Sequence, residues 1–526
     1  MNETIRKLPV GIQGFEKIRT DNFLYVDKTA YIYKLVHNNV PYFLSRPRRF
    51  GKSLLLSALK AYWEGKKDLF KGLAIEALEK DNAEAWKKYP VFYFDFNGAN
   101  YQTEGALEQK ISSMLSEWEE EYGFENQDSV LADRFRKLLR KAYEKTGLRS
   151  VILVDEYDKS LLDVINNELL QTHNKEVFKG FFSTLKSCDE LIQFIFITGV
   201  TKFHKVSIFS DLNQLKDISL TEEYASLCGI TQGELMTYFS EEVRENAEKM
   251  HLEESEYVSL LKEQYDGYHF FPGAEGVYNP LSVLSSFFDK NFGSYWFETG
   301  TPTFLINKVK EVQFELRKFT DGTIFASEAV LRDYTGETLD LIPLLYQTGY
   351  LTIADYDIKK RKYTLCFPND EVKYGFIESL VPSYIPKATP GYGLDIFTLD
   401  DYVEKGDLDG IRNVFTGLFA SISYTTEADP FEHYFQSVIY IIFTLLGKLT
   451  DCEIHTYSGR IDCRVTTDEY IYLFEFKRDD TAEAALAQID TKEYALPYIA
   501  DERKLYKIGV SFDSKTRKLV GWEVAK

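Results

Sequence analysis

The chain lacks any long apolar run. No stretch approaches the roughly 20 residues that span a bilayer. The most apolar segments, Phe194–Val200 and Val438–Leu446, have the lengths of a buried strand and a core helix. No membrane partner is expected. Residues Met1 to Val10 carry no apolar signal region, so nothing suggests export and the cytoplasm is the expected location. Cysteine is sparse as well. Cys188, Cys228, Cys366, Cys452 and Cys463 show no CxxC spacing, which argues against a disulfide framework or a structural zinc site. The seven histidines form no HExxH or comparable cluster. Basic charge is in deficit: the formal net charge of −20 argues against a chain that coats nucleic acid with its whole surface. A local basic groove stays open, and bound metal ions would offset part of the repulsion between carboxylates and phosphate.

What is present is the composition of a soluble globular protein, 44% hydrophobic and 27% charged. At 526 residues the chain exceeds one hydrophobic core, so two to four domains are expected. Residues 1–220 alternate short apolar runs with helical patterns, the signature of an α/β domain with a largely parallel sheet. The strand candidates are Pro41–Ser45, Val91–Phe96, Val151–Asp155, Gln193–Thr198 and Leu215–Ser219. Helical patterns such as Ser53–Trp63, Gly105–Tyr122, Val130–Lys145 and Lys175–Ser187 lie between them. Residues 221–310 turn mostly helical, a lid-like region in which Thr231 and Glu234 form a capping-box pattern. In 311–380 a helix at Leu341–Thr348 precedes strands at Tyr350–Ile353 and Lys362–Phe367. That order fits a winged-helix-like unit or a plain connector. Pro382, Pro386, Pro390, Gly391 and Gly393 mark a linker within 381–430, and 431–526 forms a small last domain.

Binding phosphate at a strand-to-helix turn takes free backbone N–H groups, the positive end of a helix and a lysine reaching the outer phosphates. The run Pro41-Tyr-Phe-Leu-Ser-Arg-Pro-Arg-Arg-Phe-Gly-Lys-Ser supplies strand, loop and helix start in that order. Lys52 would contact the β/γ-phosphates and Ser53 would ligate Mg²⁺, with Gly51 and Phe50 in the loop. The usual first glycine of such a P-loop is replaced by Arg46. Either the loop is less open than usual, or Arg46, Arg48 and Arg49 add guanidinium contacts to phosphate. Gly-Lys-Ser alone recurs by chance, and the downstream strand Val151-Ile-Leu-Val-Asp-Glu makes the difference. Asp155 would hold the Mg²⁺ shell and Glu156 would orient and deprotonate the attacking water. A helix cap accounts for one acid there, not for both. Thr198 or Thr201, at the end of the next strand, could sense the γ-phosphate. An extra strand between the loop strand and the Asp-Glu strand matches ATPases of the additional-strand class. Without an Asn-Lys-x-Asp motif, ATP is preferred to GTP.

On these residues the chain resembles the AAA-ATPase-like family found beside nuclease domains in bacteria and archaea. The carrying runs are Gly14-Phe-Glu-Lys-Ile-Arg, Tyr25-Val-Asp-Lys-Thr, Arg46-Pro-Arg-Arg-Phe-Gly-Lys-Ser, Val154-Asp-Glu-Tyr-Asp-Lys, Gly199-Val-Thr-Lys-Phe, Tyr265-Asp-Gly-Tyr and Tyr278-Asn-Pro. The resemblance covers about the first 300 residues and makes Arg46 typical of the family. For the Tyr25–Thr29 and Tyr265–Tyr268 runs, an adenine pocket and plain core packing are both open.

In the last domain, Gly459-Arg-Ile-Asp and Tyr470-Ile-Tyr-Leu-Phe-Glu-Phe-Lys place Asp462, Glu475 and Lys477 on two apolar strands. Strand alternation turns Glu475 and Lys477 to one face. Two acids would bind Mg²⁺ while the lysine positions water and stabilises charge on phosphate; oxygen-only ligation suits Mg²⁺ or Mn²⁺ rather than zinc. By spacing alone, a surface strand pair with a Glu–Lys ion pair is the favoured reading. The stretch also resembles the PD-(D/E)XK nuclease superfamily, through the helix from Phe431, Phe474-Glu-Phe-Lys, and Ala484-Ala-Leu-Ala-Gln-Ile with Tyr494. That resemblance implies a restriction-endonuclease-like α/β fold, with Glu432 and Gln488 near the site. The expected function is an ATP-dependent or ATP-regulated nuclease acting on DNA or RNA. The alternatives are an ATP-driven regulatory scaffold whose nuclease-like domain only binds, or an ATPase acting on protein partners. An oligomer is compatible with either.

Overall fold

The computed structural model describes residues 7–525 except 39, 125–129, 203–207, 210, 211, 213, 299–302, 313, 320–323, 333–340, 385–395, 421–430, 448–450, 455–460 and 517. The side chains of 298, 303, 304, 317, 332, 431–436 and 451–454 lie outside the description too. The chain divides into two compact units, residues 1–296 with 325–369, and residues 297–324 with 370–526. The segment expected at 311–380 is therefore shared between them.

The first unit is built on five strands: β1 (Tyr42–Ser45), β2 (Val91–Asp95), β3 (Ser150–Asp155), β4 (Ile192–Gly199) and β5 (Lys216–Asp217). Their order is β2-β3-β4-β1-β5, and each neighbouring pair runs parallel. All five expected strands form, and β4 separates β1 from β3 as the additional-strand reading requires. β1 and β3 are buried along their whole length, as strands covered by helices on both faces must be. The covering helices read directly from their apolar spacing. Leu107, Ile111 and Leu115 line one face of Ala106–Tyr122, and Phe135, Leu138 and Leu139 one face of Leu131–Thr146. Both helices stop at a left-handed glycine, Gly123 and Gly147. The helix Glu168–Ser187 starts earlier than its apolar pattern suggests because Asn167 caps it, accepting from the Leu170 N–H.

The helical region has its own core around Leu235, Phe239, Tyr257, Leu261 and Val283. Thr231 and Glu234 form the expected capping box, and a two-stranded ladder joins β6 (Ile230–Thr231) to β7 (Val277–Tyr278). Asn279 then caps the helix Pro280–Asp289, which explains the Tyr278-Asn-Pro run. The expected Leu341–Thr348 helix and hairpin are also present. β8 (Ile324–Ser327), β9 (Thr352–Asp357) and β10 (Lys362–Cys366) form a sheet in the order β8-β10-β9.

The second unit carries β11 (Asp451–Ile454), β12 (Cys463–Thr466), β13 (Tyr470–Arg478), β14 (Lys504–Asp513) and β15 (Lys518–Ala525), ordered as numbered. Only β13 and β14 pair in parallel; the helix Ala482–Thr491 makes that connection. The helix lies so close to β14 that a Cβ at Gly509 would meet the Ala482 carbonyl oxygen at 2.2 Å. Two expectations change here. Pro382 lies inside the helix Asp370–Tyr384, near its end, where the missing N–H removes only a last-turn bond. The expected linker 381–430 contains two helices, Ile396–Lys405 and Leu408–Ala420. Phe415 of the second packs 5.6 Å from Phe443 and 6.1 Å from Trp522. Pro386, Pro390, Gly391 and Gly393 lie outside the described residues.

Candidate functional site

Parallel pairing brings the carboxyl ends of β1, β3 and β4 to one edge, the usual location of ligand sites in such sheets. The loop after β1 turns sharply, with Arg49 at φ +68 and Gly51 at φ +92. A Cβ at Gly51 would meet no other atom within 4 Å, so the requirement for glycine is backbone conformation rather than crowding. Lys52 opens the helix Lys52–Trp63. Its side chain is buried, its Nζ donates to the Arg46 and Pro47 carbonyls at 3.0 and 3.1 Å, and it lies 3.6 Å from Glu156.

Asp155 ends β3 at 1% exposure. Its Oδ1 accepts from the Thr198 hydroxyl at 2.8 Å and its Oδ2 from the Tyr93 hydroxyl at 3.1 Å. Burial raises the Asp155 pKa, the Glu156 charge adds to the rise, and hydrogen bonds from Ser53 and Thr198 and the Lys52 charge oppose it. The structure thus brings Gly51, Lys52, Ser53, Asp155, Glu156 and Thr198 together. Glu156 adopts a left-handed φ of +54, a strained conformation of the kind that clusters at functional sites.

The three loop arginines separate. Arg46 is fully buried; its guanidinium donates to the Ser45, Ser219 and Tyr224 carbonyls at 2.8–3.0 Å and stacks 4.0 Å over Phe270. The expected Arg46–phosphate contact does not fit this placement, because the head group faces these carbonyls and fastens the loop from below. Arg48 and Arg49 are exposed. Phe50 is an anchor, edge-on to Tyr268 at 4.7 Å and Phe270 at 5.5 Å. This contact gives the Tyr265–Tyr268 run a packing role. Within the Tyr25–Thr29 run, Asp27 accepts from Thr29 and from the Ala74 N–H, while Lys28 donates to Ser226 and Glu234. Tyr25 and Val26 also line an apolar cavity of about 100 Å³ that reaches Phe50, Gly51, Ile230 and Leu284.

Three residues acquire roles that their sequence positions did not announce. Asp158 is fully buried and accepts from the Val200 N–H, the Thr201 N–H and the Thr201 hydroxyl at 2.6–3.1 Å. Thr201 is therefore tied to Asp158, whereas Thr198 faces Asp155. Burial and then the Glu156 charge push the Asp158 pKa up to about 6. Gln347 accepts from the Lys202 N–H at 2.8 Å. Tyr93, on the strand beside β3, was legible only as a strand residue.

In the second unit, Glu475 is buried at 2% exposure on β13, and Lys477 lies on the same face with its Nζ 3.4 Å away. Gln488, from the helix Ala482–Thr491, accepts from Lys477 and donates to Glu475 Oε1. Asp462 Oδ2 accepts from the Phe476 N–H at 2.9 Å, which brings the first acid alongside β13. Burial, reinforced by the Asp462 charge and partly offset by Lys477, pushes the Glu475 pKa up to about 7. Glu475 Oε2 is buried with no hydrogen-bond partner among the described residues, a costly arrangement that a cation would satisfy. The oxygen donors of Asp462 and Glu475 therefore fit a hard divalent ion. Among the described residues no group of three or more His, Cys, Asp or Glu is placed to hold a metal. The Glu432 side chain, Gly459 and Arg460 lie outside them.

A family model described as a predicted AAA-ATPase matches residues 9–209, and one for the PD-(D/E)XK nuclease superfamily matches residues 430–522. The chain is 36% identical over 530 residues, 99% of each sequence, to an uncharacterized protein in the vnfD 5' region of Azotobacter chroococcum mcd 1. The chain belongs to the AAA-ATPase-like family and carries a PD-(D/E)XK nuclease superfamily domain at its C-terminal end.

Proposed function

We propose that this protein binds and hydrolyses ATP in its first unit and cuts nucleic acid in its second, with nucleotide state regulating cleavage. In the first unit, Lys52 neutralises charge on the outer phosphates and Glu156 takes the proton of the attacking water. Asp155 and Ser53 would hold Mg²⁺, which supplies charge to the transferring phosphate. Thr198 fixes the Asp155 carboxylate at 2.8 Å. The apolar cavity beside Gly51 suits the flat face of a purine base. Exposed Arg48 and Arg49 supply the remaining cations of the loop.

In the second unit, Asp462 and Glu475 would hold a divalent ion, whose Lewis acidity supplies charge at the scissile phosphate. Lys477, held against Glu475 and Gln488, orients water and stabilises developing negative charge. The observation that carries the nuclease reading is Glu475 Oε2, a buried carboxylate oxygen beside Asp462 and Lys477 that has no hydrogen-bond partner among the described residues. The test is incubation of the full chain with a panel of single- and double-stranded DNA and RNA, with Mg²⁺ or Mn²⁺, with and without ATP. Cleavage that depends on metal and changes with ATP is expected.

A second reading, a regulatory scaffold whose nuclease-like domain binds without cutting, is favoured by the net charge of −20. Binding to the same panel without cleavage in any of Mg²⁺, Mn²⁺ or Ca²⁺ would select it. No binding at low salt, where phosphate contacts are strongest, would instead point to protein partners.

A further inference from the structure

The β9–β10 hairpin carries Lys359, Lys360, Arg361 and Lys362 in succession, the longest uninterrupted basic run in a chain of net charge −20. The register Lys362↔Asp357 and Tyr363↔Tyr356 places residues 358–361 in the turn. The turn is shaped locally. Asp357 Oδ1 accepts from the Lys359 and Lys360 N–H groups at 3.0 Å each, and Arg361 takes a left-handed φ of +48. Ile358 stands at the tip, 79% exposed. Lys359, Lys360 and Arg361 are exposed, and Lys362 Nζ sits 3.6 Å over the Phe325 ring.

The neighbouring acids do not cancel this charge. Residues 355–362 hold four basic side chains against Asp355 and Asp357. Lys360 approaches Asp357 at 3.6 Å, but the lysine is 71% exposed, and such surface pairs are weak. Glu328 faces the hairpin through the Tyr356 hydroxyl at 3.3 Å. Among the described residues neither Lys359 nor Arg361 has an ion-pair partner. The preceding helix, Leu341–Thr348, is buried on nearly every side, and Gln347 is committed to the Lys202 N–H. That helix cannot enter a groove, so the hairpin tip is what this part of the fold presents to a partner.

We propose that the 358–362 hairpin tip is a contact site for double-stranded nucleic acid. Its cations bind backbone phosphates, and Ile358 lies against the groove between them. The contact is independent of sequence, because it engages phosphate rather than base edges. It rests on the reading that the protein acts on nucleic acid, but involves a surface separate from the Asp462-Glu475-Lys477 set.

The test is fluorescence anisotropy of a labelled duplex, titrated with the full chain over a salt series, with a single strand of the same sequence and anionic phospholipid vesicles in parallel. Mutating Lys359, Lys360 and Arg361 together to Ala should weaken duplex binding about 10-fold or more and reduce the log–log salt slope by roughly 3. Ile358→Ser should weaken it at low and high salt alike. ATP turnover and melting temperature should stay at wild-type values in both variants. Unchanged duplex affinity in the triple variant overturns the hairpin site alone. A wild-type protein that ignores duplex at low salt overturns it together with the nucleic-acid reading. Hairpin-dependent binding to vesicles or single strand in preference to duplex overturns the assigned partner.

Discussion

Glu156 shares a short stretch with two buried carboxylates, Asp155 and Asp158, and its charge raises the pKa of both. Removing that charge should therefore cost activity and relieve strain. Glu156→Gln is expected to lower ATP turnover by at least ~100-fold while leaving the melting temperature unchanged or higher, as seen where an active-site arrangement opposes stability. The sign of the pH dependence follows from Asp158. Its folded pKa of about 6 exceeds the ordinary 3.8, so the folded state holds the extra proton and stability declines as pH rises between those values. Denaturant melts of Glu156→Gln across that window should show a shallower decline.

Glu475 obeys the same linkage with a consequence for metal. Its pKa of about 7 lies above the ordinary 4.5, so a cation must displace a proton below neutrality. Affinity for Mn²⁺ or Ca²⁺ should rise as pH increases from 6 to 8, with proton release at the lower pH detectable by calorimetry in buffers of different ionisation heat. A flat affinity with no proton release would place the metal elsewhere.

At the scale of elements, the parallel sheet was legible because each strand is a short, continuous apolar run between helical patterns. The loop chemistry was less so. Nothing near Arg46 in the chain distinguishes a phosphate ligand from a buried fastener. Its acceptors include Ser219 and Tyr224, more than 170 residues away, and such pairings leave no local pattern. Arg46→Met should strand those carbonyls and destabilise the first unit by roughly 3 kcal/mol. Ala at Arg48 and Arg49 should change stability by less than about 0.5 kcal/mol and weaken nucleotide binding; chemical denaturation and nucleotide titration separate the two effects. Strand alternation did put Glu475 and Lys477 on one face, whereas the bridging role of Gln488 depends on how closely its helix approaches β14. Gly509→Ala would place a Cβ against the Ala482 carbonyl oxygen and push that helix outward. The variant should lose roughly 1–3 kcal/mol and metal affinity with it.

For the whole molecule, the boundary at residues 297–324 and 370 onward cuts across the order of the sequence, which is why composition shifts could not locate it. Two units with separate ligands should respond separately to them. A non-hydrolysable ATP analogue is expected to raise one calorimetric transition and Ca²⁺ another, with Lys52→Ala and Glu475→Ala each abolishing only its own shift. The central claim is one chain with two separate reaction centres, an ATPase that regulates a nuclease. It is tested most directly by measuring ATP turnover and nucleic-acid cleavage on the same preparation of Glu475→Ala in Mg²⁺. The account expects wild-type turnover with cleavage reduced to background; cleavage at the wild-type rate would contradict it.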